Sequence, residues 1–133
     1  MEYVYIGIGG FLGAVIRYLI YYYFLRDYHT TFPYVTFFIN IVGSFLLSFI
    51  SNLTLEEFKI DIKIRLAITT GFIGAFTTFS TFIKETIDLM NTGEFEVALL
   101  YVLSSIIVGF IMSFTGFELA DKIEVYLKGR EEN

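Results

Sequence analysis

The chain has no cysteine, one histidine and one proline. Without cysteine there are no disulfides and no thiolate chemistry. The lone histidine, His29, falls in a polar connector and reads as a solvated loop residue. With no acid pair expected at depth, general acid–base catalysis lacks its residues, and the chain is not expected to be an enzyme. Charge is also scarce. Only 17% of the residues are charged, and 9 Lys+Arg against 14 Asp+Glu leave a net charge of −5. Nucleic acid would call for a basic surface, so it is excluded as a partner. What the chain has instead is apolar surface, 56% of 133 residues. A soluble domain of that size keeps too much of its surface in water to hide so much of it, so lipid is the expected solvent.

A bilayer-crossing helix needs about 20 apolar residues. Four such stretches stand at about residues 3–24, 32–53, 66–89 and 95–117, followed by a charged tail over 118–133. Pro33 opens the second, where its missing N–H costs nothing. The connector holding Arg26, Asp27, Tyr28 and His29 separates spans one and two. Residues 56–65 form a charged connector able to make a short surface helix, and Asn91-Thr92-Gly93 makes a turn before span four. The first stretch has no basic run before it and no small-residue cleavage site after it, so it is expected to remain as a span. The expected architecture is an all-α membrane protein, one channel domain over residues 1–133. With both termini on one side, that side carries Lys59, Lys63, Arg65, Lys122, Lys128 and Arg130 against Arg26 and Lys84 on the other. This bias favours cytoplasmic termini and is small enough to allow both orientations.

Inside a membrane, polar residues are the informative ones. In span two Thr36, Asn40, Ser44 and Ser48 recur every four residues on one helical face, beside Gly43. An interhelical hydrogen bond and a pore lining explain that stripe equally well. Span four repeats the spacing with Tyr101, Ser105, Gly109 and Ser113. Span one places Gly9, Gly13 and Arg17 on one face, which suits close packing of backbones, and gives Arg17 a structural role. Span three reads Gly71-Phe-Ile-Gly-Ala-Phe-Thr-Thr-Phe-Ser-Thr-Phe82. Its glycines and hydroxyls weaken a helix, and a break near 74–80 is expected. Breaks at depth occur where freed backbone lines a cavity or coordinates an ion. Phe76, Phe79 and Phe82 surround it at spacing three. A phenyl ring carries a positive edge, so ring edges, the Asn40 amide and Ser or Thr hydroxyls together make a set of weak donors suited to passing a small anion.

These residues resemble the Fluc, or CrcB-type, fluoride channel family. The resemblance covers nearly the whole chain. It rests on Gly9-Gly10-Phe-Leu-Gly13-Ala14-Val-Ile-Arg17-Tyr18, on Thr36-Phe-Phe-Ile-Asn40-Ile-Val-Gly43-Ser44-Phe45, and above all on Gly71 to Phe82 followed by Glu85. It implies an antiparallel, dual-topology homodimer, or a pair with an inverted paralogue, with two pores built from both subunits. Asn40 would donate to fluoride, and Phe79 and Phe82 would offer ring edges to it. Ser80, Thr81, Tyr101 and Ser105 would continue a polar track, with Thr36 and Ser44 on the same path. A structural Na+ would sit between the subunits on the backbone carbonyls of Gly74 and Thr77. Arg17, Gly13 and Glu85 would be structural. The implied activity is passive export of fluoride through the inner (plasma) membrane. Two departures from the family pattern are Ala75, where many relatives have glycine, and Gly109, at a possible pore serine.

Two other classes fit a four-helix membrane chain. A small dual-topology multidrug transporter needs a membrane-embedded carboxylate, and the only acid near span one is Glu2, while span two has none. A structural subunit of a larger complex explains the helices but not the polar stripes. Size also argues for a pair of chains, because four helices pack around their own side chains and leave little room for a pore.

Overall fold

The computed structural model describes residues 2–24, 31–53 and 61–131, the side chains of 128–131 excepted. His29 with its connector, and residues 56–60 of the second connector, lie outside the described residues. Those described are helical, with no strand among them. Helix α1 runs Glu2–Phe24 and α2 runs Tyr34–Leu53. A third helical stretch comprises α3 (Ile62–Leu66), a π-helical segment (Ala67–Ile73) and α4 (Gly74–Phe76). Two residues later α5 runs Phe79–Asn91, and α6 covers Phe95–Glu131. Four stretches, Glu2–Phe24, Tyr34–Leu53, Ile62–Asn91 and Phe95–Leu127, are long and apolar enough to cross a membrane.

Local chemistry sets the boundaries. Pro33 accepts the Phe37 amide at 3.1 Å and launches α2. Asp61 caps α3 by accepting the Lys63 amide at 2.9 Å. After Asn91 the chain turns through Gly93 at φ 84°, the left-handed region that glycine enters without strain, and the Glu94 amide reaches back to the Leu89 carbonyl at 2.9 Å. The last helix does not stop at Phe117. It continues to Glu131, and 37 residues at a rise of 1.5 Å make it about 55 Å long, well beyond a hydrocarbon core of about 30 Å. The charged tail is therefore, in large part, a continuation of the same rod.

The outer surface is apolar. Phe11 is 68% exposed and Phe110 74%, on helices whose buried faces hold small or polar residues. Inside, α1 lies against the π-helical segment with backbone almost touching backbone. A Cβ built on Gly9 would overlap the Ala67 carbonyl, and one on Gly13 would overlap the Phe72 carbonyl. A Cβ on Gly71 would come within 2.5 Å of the Ile6 carbonyl oxygen. The α2–α6 pair is equally close at Gly116, where a Cβ would stand 2.6 Å from the Phe45 carbonyl oxygen. Small residues are what lets helices approach in lipid, where no hydrophobic force between them exists.

Gly13→Ala must push two backbones apart, and overpacking of that kind costs about 1–3 kcal/mol. Gly13→Ala is expected to lower the thermal midpoint of the purified protein in detergent. Gly7→Ala, where a Cβ meets nothing within 4 Å, should leave it unchanged.

Candidate functional site: an interrupted helix and its polar supports

The segment between α4 and α5 is the polar centre of the molecule. Thr77 (φ −73°, ψ 157°) and Thr78 (φ −146°, ψ 113°) are extended. Two peptide units at this point leave the helical ladder, and they need partners in a setting where water is scarce. Asn40 supplies them from α2. Its Oδ1 accepts the Thr78 amide at 2.9 Å, and its Nδ2 donates to the Thr78 carbonyl at 3.1 Å. The carboxamide thus pairs with one residue's backbone as a neighbouring strand would. A continuous helix would send the Thr78 amide to the Gly74 carbonyl, and here that donor is spent on Asn40. Arg17 of α1 donates from Nη1 to the Thr77 carbonyl at 3.3 Å. Thr78 then restarts the helix as its N-cap, its hydroxyl oxygen accepting the Thr81 amide at 3.2 Å and its proton going to the Thr81 hydroxyl at 2.9 Å.

Nearly two turns into α5 a second cluster forms around Glu85. Thr36 of α2 donates to Glu85 Oε1 at 2.7 Å, and Tyr101 of α6 donates to Oε2 at 2.8 Å. Tyr21 of α1 reaches the Thr36 hydroxyl at 2.5 Å. Thr36 and Tyr101 are both fully buried. The Tyr101 ring also stacks in tilted fashion against Phe82, with centroids 4.9 Å apart, and meets Phe32 edge-on at 5.4 Å. Lys84 lies outside this cluster and pairs with Asp88 on the exposed side of α5.

The expected site residues are placed as follows. Asn40 and Thr36 share the inner face of α2 and support the two clusters. Ser44 turns back on its own helix, donating to the Asn40 carbonyl at 2.8 Å. Phe82 packs against the Tyr101 ring, whereas Phe79 is 76% exposed, so within one chain the two rings have different surroundings. Ser80 is exposed, its hydroxyl 3.5 Å from that of Thr78, and Thr81 is tied to Thr78. Ser105 has a buried Oγ with no hydrogen-bond partner among the described residues. A Cβ on Gly109 would lie 3.9 Å from the Ser44 hydroxyl, in ordinary contact. Gly13 serves the α1 packing described above. Gly74 and Thr77 stand at the interruption, and their carbonyls are in different states. The first has lost its helical donor and the second carries the Arg17 guanidinium.

Two residues, Thr78 and Tyr21, escaped the sequence reading. Thr78 looked like one hydroxyl among several, yet its backbone is what Asn40 holds. Tyr21 follows Arg17 at the same spacing of four that joins Gly9, Gly13 and Arg17, and that spacing was the available signal. Glu85 was expected to be structural, and what was expected to be missing at depth was a pair of acids. A single acid does stand there: Glu85 lies inside the membrane-length stretch Ile62–Asn91 with both carboxylate oxygens bonded. Hydroxyls from two other helices replace the water it would lose.

Comparison with known proteins is consistent with a membrane channel. A family model described as CrcB-like protein, Camphor Resistance (CrcB), matches residues 4–117. The chain is 45% identical over 119 residues to the fluoride-specific ion channel FluC 1 of Bacillus cereus, covering 90% of this chain and 87% of that protein. It is 46% identical over 115 residues to the fluoride-specific ion channel FluC of Chlorobaculum tepidum, covering 86% and 90%. To the fluoride-specific ion channel FluC 2 of Staphylococcus saprophyticus it is 39% identical over 125 residues, covering 92% and 99%.

Asn40→Leu keeps a side chain of similar size and removes both bonds to Thr78. Leaving buried backbone groups unmet costs about 1–3 kcal/mol each. Amide hydrogen exchange at Thr78 is expected to quicken by roughly ten- to a hundredfold, while exchange in the middle of α6 stays as in the parent.

Proposed function

The chain belongs to the CrcB-like family, and on that footing we propose that it is a passive, fluoride-selective channel that lets the anion leave the cell. It is a multi-pass membrane protein and a channel, not an enzyme. The observation that carries the reading is its identity of 39 to 46% with proteins named fluoride-specific ion channels, over most of both chains. Family membership now also separates it from a proton-exchanging transporter, which the embedded Glu85 would otherwise keep in view.

The working unit is two chains in opposite orientations, either two copies or one copy with an inverted paralogue, in the plasma membrane. Two pores run between them. Several features support this reading. Phe79 is a large ring standing 76% exposed on a single chain, beside the polar interruption, where a second chain would cover it. Asn40 spends one N–H of its amide on Thr78 and keeps the other for an anion. Phe79 and Phe82 offer ring edges, and Ser80, Thr81, Tyr101 and Ser105 with Thr36 and Ser44 provide neutral dipoles along the way. The unpartnered Ser105 hydroxyl is a donor ready for a passing ion. Weak donors in series suit conduction, since an ion that is held lightly leaves quickly. Fluoride trapped in the cytoplasm after entry as HF then flows out down its gradient, and no coupled ion is needed.

A structural Na+ between the chains completes the proposal. The Gly74 carbonyl fits, because its helical donor has been diverted to Asn40. The Thr77 carbonyl fits through its second lone pair, the first being occupied by Arg17. When bound, the ion supplies fixed positive charge that the neutral pore walls lack.

The test is efflux from liposomes holding the purified chain alone, loaded with fluoride or chloride, with a potassium ionophore to release the voltage. Fluoride loss with chloride retained is the expected result. Fluoride retained by well-folded protein, and still retained after an inverted paralogue is added, would remove the reading. Asn40→Asp, which faces an anion with a carboxylate, is expected to stop fluoride. Phe79→Ile and Phe82→Ile should each slow it roughly five- to tenfold, from about 1 kcal/mol of ring-edge attraction lost per ring.

A further inference from the structure

Glu85 is where the four membrane-length stretches meet. Thr36 comes from α2, Tyr101 from α6, Glu85 itself from α5, and α1 joins through Tyr21. The direction of each proton can be worked out. The Glu85 oxygen accepts from Thr36, and a threonine hydroxyl has one proton to give. Thr36 gives its proton to Glu85 Oε1 at 2.7 Å. The 2.5 Å contact between Tyr21 and Thr36 can then be made only by the Tyr21 proton. The order is Tyr21 to Thr36 to Glu85, with Tyr101 donating to the other carboxylate oxygen.

We propose that Tyr21 is a positioning residue of the anion path, which commits the Thr36 proton to Glu85 and so holds the carboxylate between Thr36 and Tyr101. The inference rests on the channel reading above. Phe82 and Glu85 are three residues apart on α5 and therefore share one side of it. A carboxylate released from Thr36 would carry uncovered negative charge beside the proposed path and repel an approaching anion. Thr36 holds Glu85 more firmly when its own lone pair is occupied, and the Tyr21 donor occupies it. A hydroxyl that accepts one hydrogen bond also donates the next more strongly. Arg17, one turn earlier on the same face of α1, holds the Thr77 carbonyl. Helix α1 thus supports both the interruption and the carboxylate, through residues at spacing four. Neither residue needs to touch the ion.

The test combines a flux with a vibrational signature that packing alone would not move. The Glu85 carboxylate stretch is identified by infrared difference spectroscopy as the band lost in Glu85→Gln. Tyr21→Phe, which removes one oxygen from the parent chain, is expected to shift that band. It is also expected to slow fluoride efflux from liposomes roughly three- to tenfold, the loss of one buried hydrogen bond. Thr36→Val should shift the band too, and adding Tyr21→Phe to Thr36→Val should change neither band nor flux further, because the relay is already cut. An unmoved band in Tyr21→Phe overturns the proposal, even if flux falls, and so does a shifted band with unchanged flux. Additive effects of the two substitutions overturn it as well. A parent chain that passes no fluoride overturns the channel reading instead, and the band then decides the Tyr21 relay by itself.

Discussion

A peptide group inside a bilayer has no water to turn to, and at Thr78 the helix withdraws its usual partners too. Asn40 meets both demands with one side chain, accepting the amide at 2.9 Å and donating to the carbonyl at 3.1 Å. The rest of the polar centre follows from this. The clamp allows two residues to stay extended between α4 and α5. It relieves the Gly74 carbonyl of its helical donor, and it lets Thr78 act as the cap from which α5 starts again. A carboxamide is suited to the task because it carries a donor and an acceptor side by side at peptide spacing. Thr or Ser at position 40 would put donor and acceptor on one atom of a shorter side chain, which does not reproduce two parallel bonds from separate atoms.

The interruption is held in place by tight helix packing. Gly9, Gly13 and Gly71 let α1 and the π-helical segment approach until their backbones meet. That contact brings the later part of α1 within reach of the site, so that Arg17 can donate to Thr77 and Tyr21 can meet the Thr36 hydroxyl. Packing and polar chemistry are coupled here along one face of one helix. Its early positions carry glycines, and its later positions carry the long side chains that the glycines bring near. A methyl group at the start of this face would therefore be felt at its end.

Much of this was legible in advance. Four apolar stretches of bilayer length, separated by charged or turn-forming residues, announce four spans, because lipid admits few alternatives for so apolar a chain. The stripe of Thr36, Asn40 and Ser44 marked the inner face of α2, and the Gly-Thr-Ser composition of residues 71–82 marked the weak helix. Less legible was what each polar group would bond. Periodicity shows which residues share a face, but it says nothing of the partner opposite. Ser44 looked equivalent to Asn40, yet it bonds its own helix at 2.8 Å. Glu85 was expected to be structural, but its two hydroxyl partners come from positions 49 residues before it and 16 after it.

By itself the sequence determined the solvent, the spans, the family, and which helix faces hold polar groups, since these depend on composition and on repeats within a single helix. The tertiary structure decided how those groups are spent: Asn40 on the backbone of Thr78, Arg17 on Thr77, Thr36 and Tyr101 on the two oxygens of Glu85, and Tyr21 on Thr36. The reason is one of range. Hydrophobic length and helical period are local properties, whereas a buried hydrogen bond is set by the meeting of residues far apart in the chain, and in lipid each such group must find its partner there.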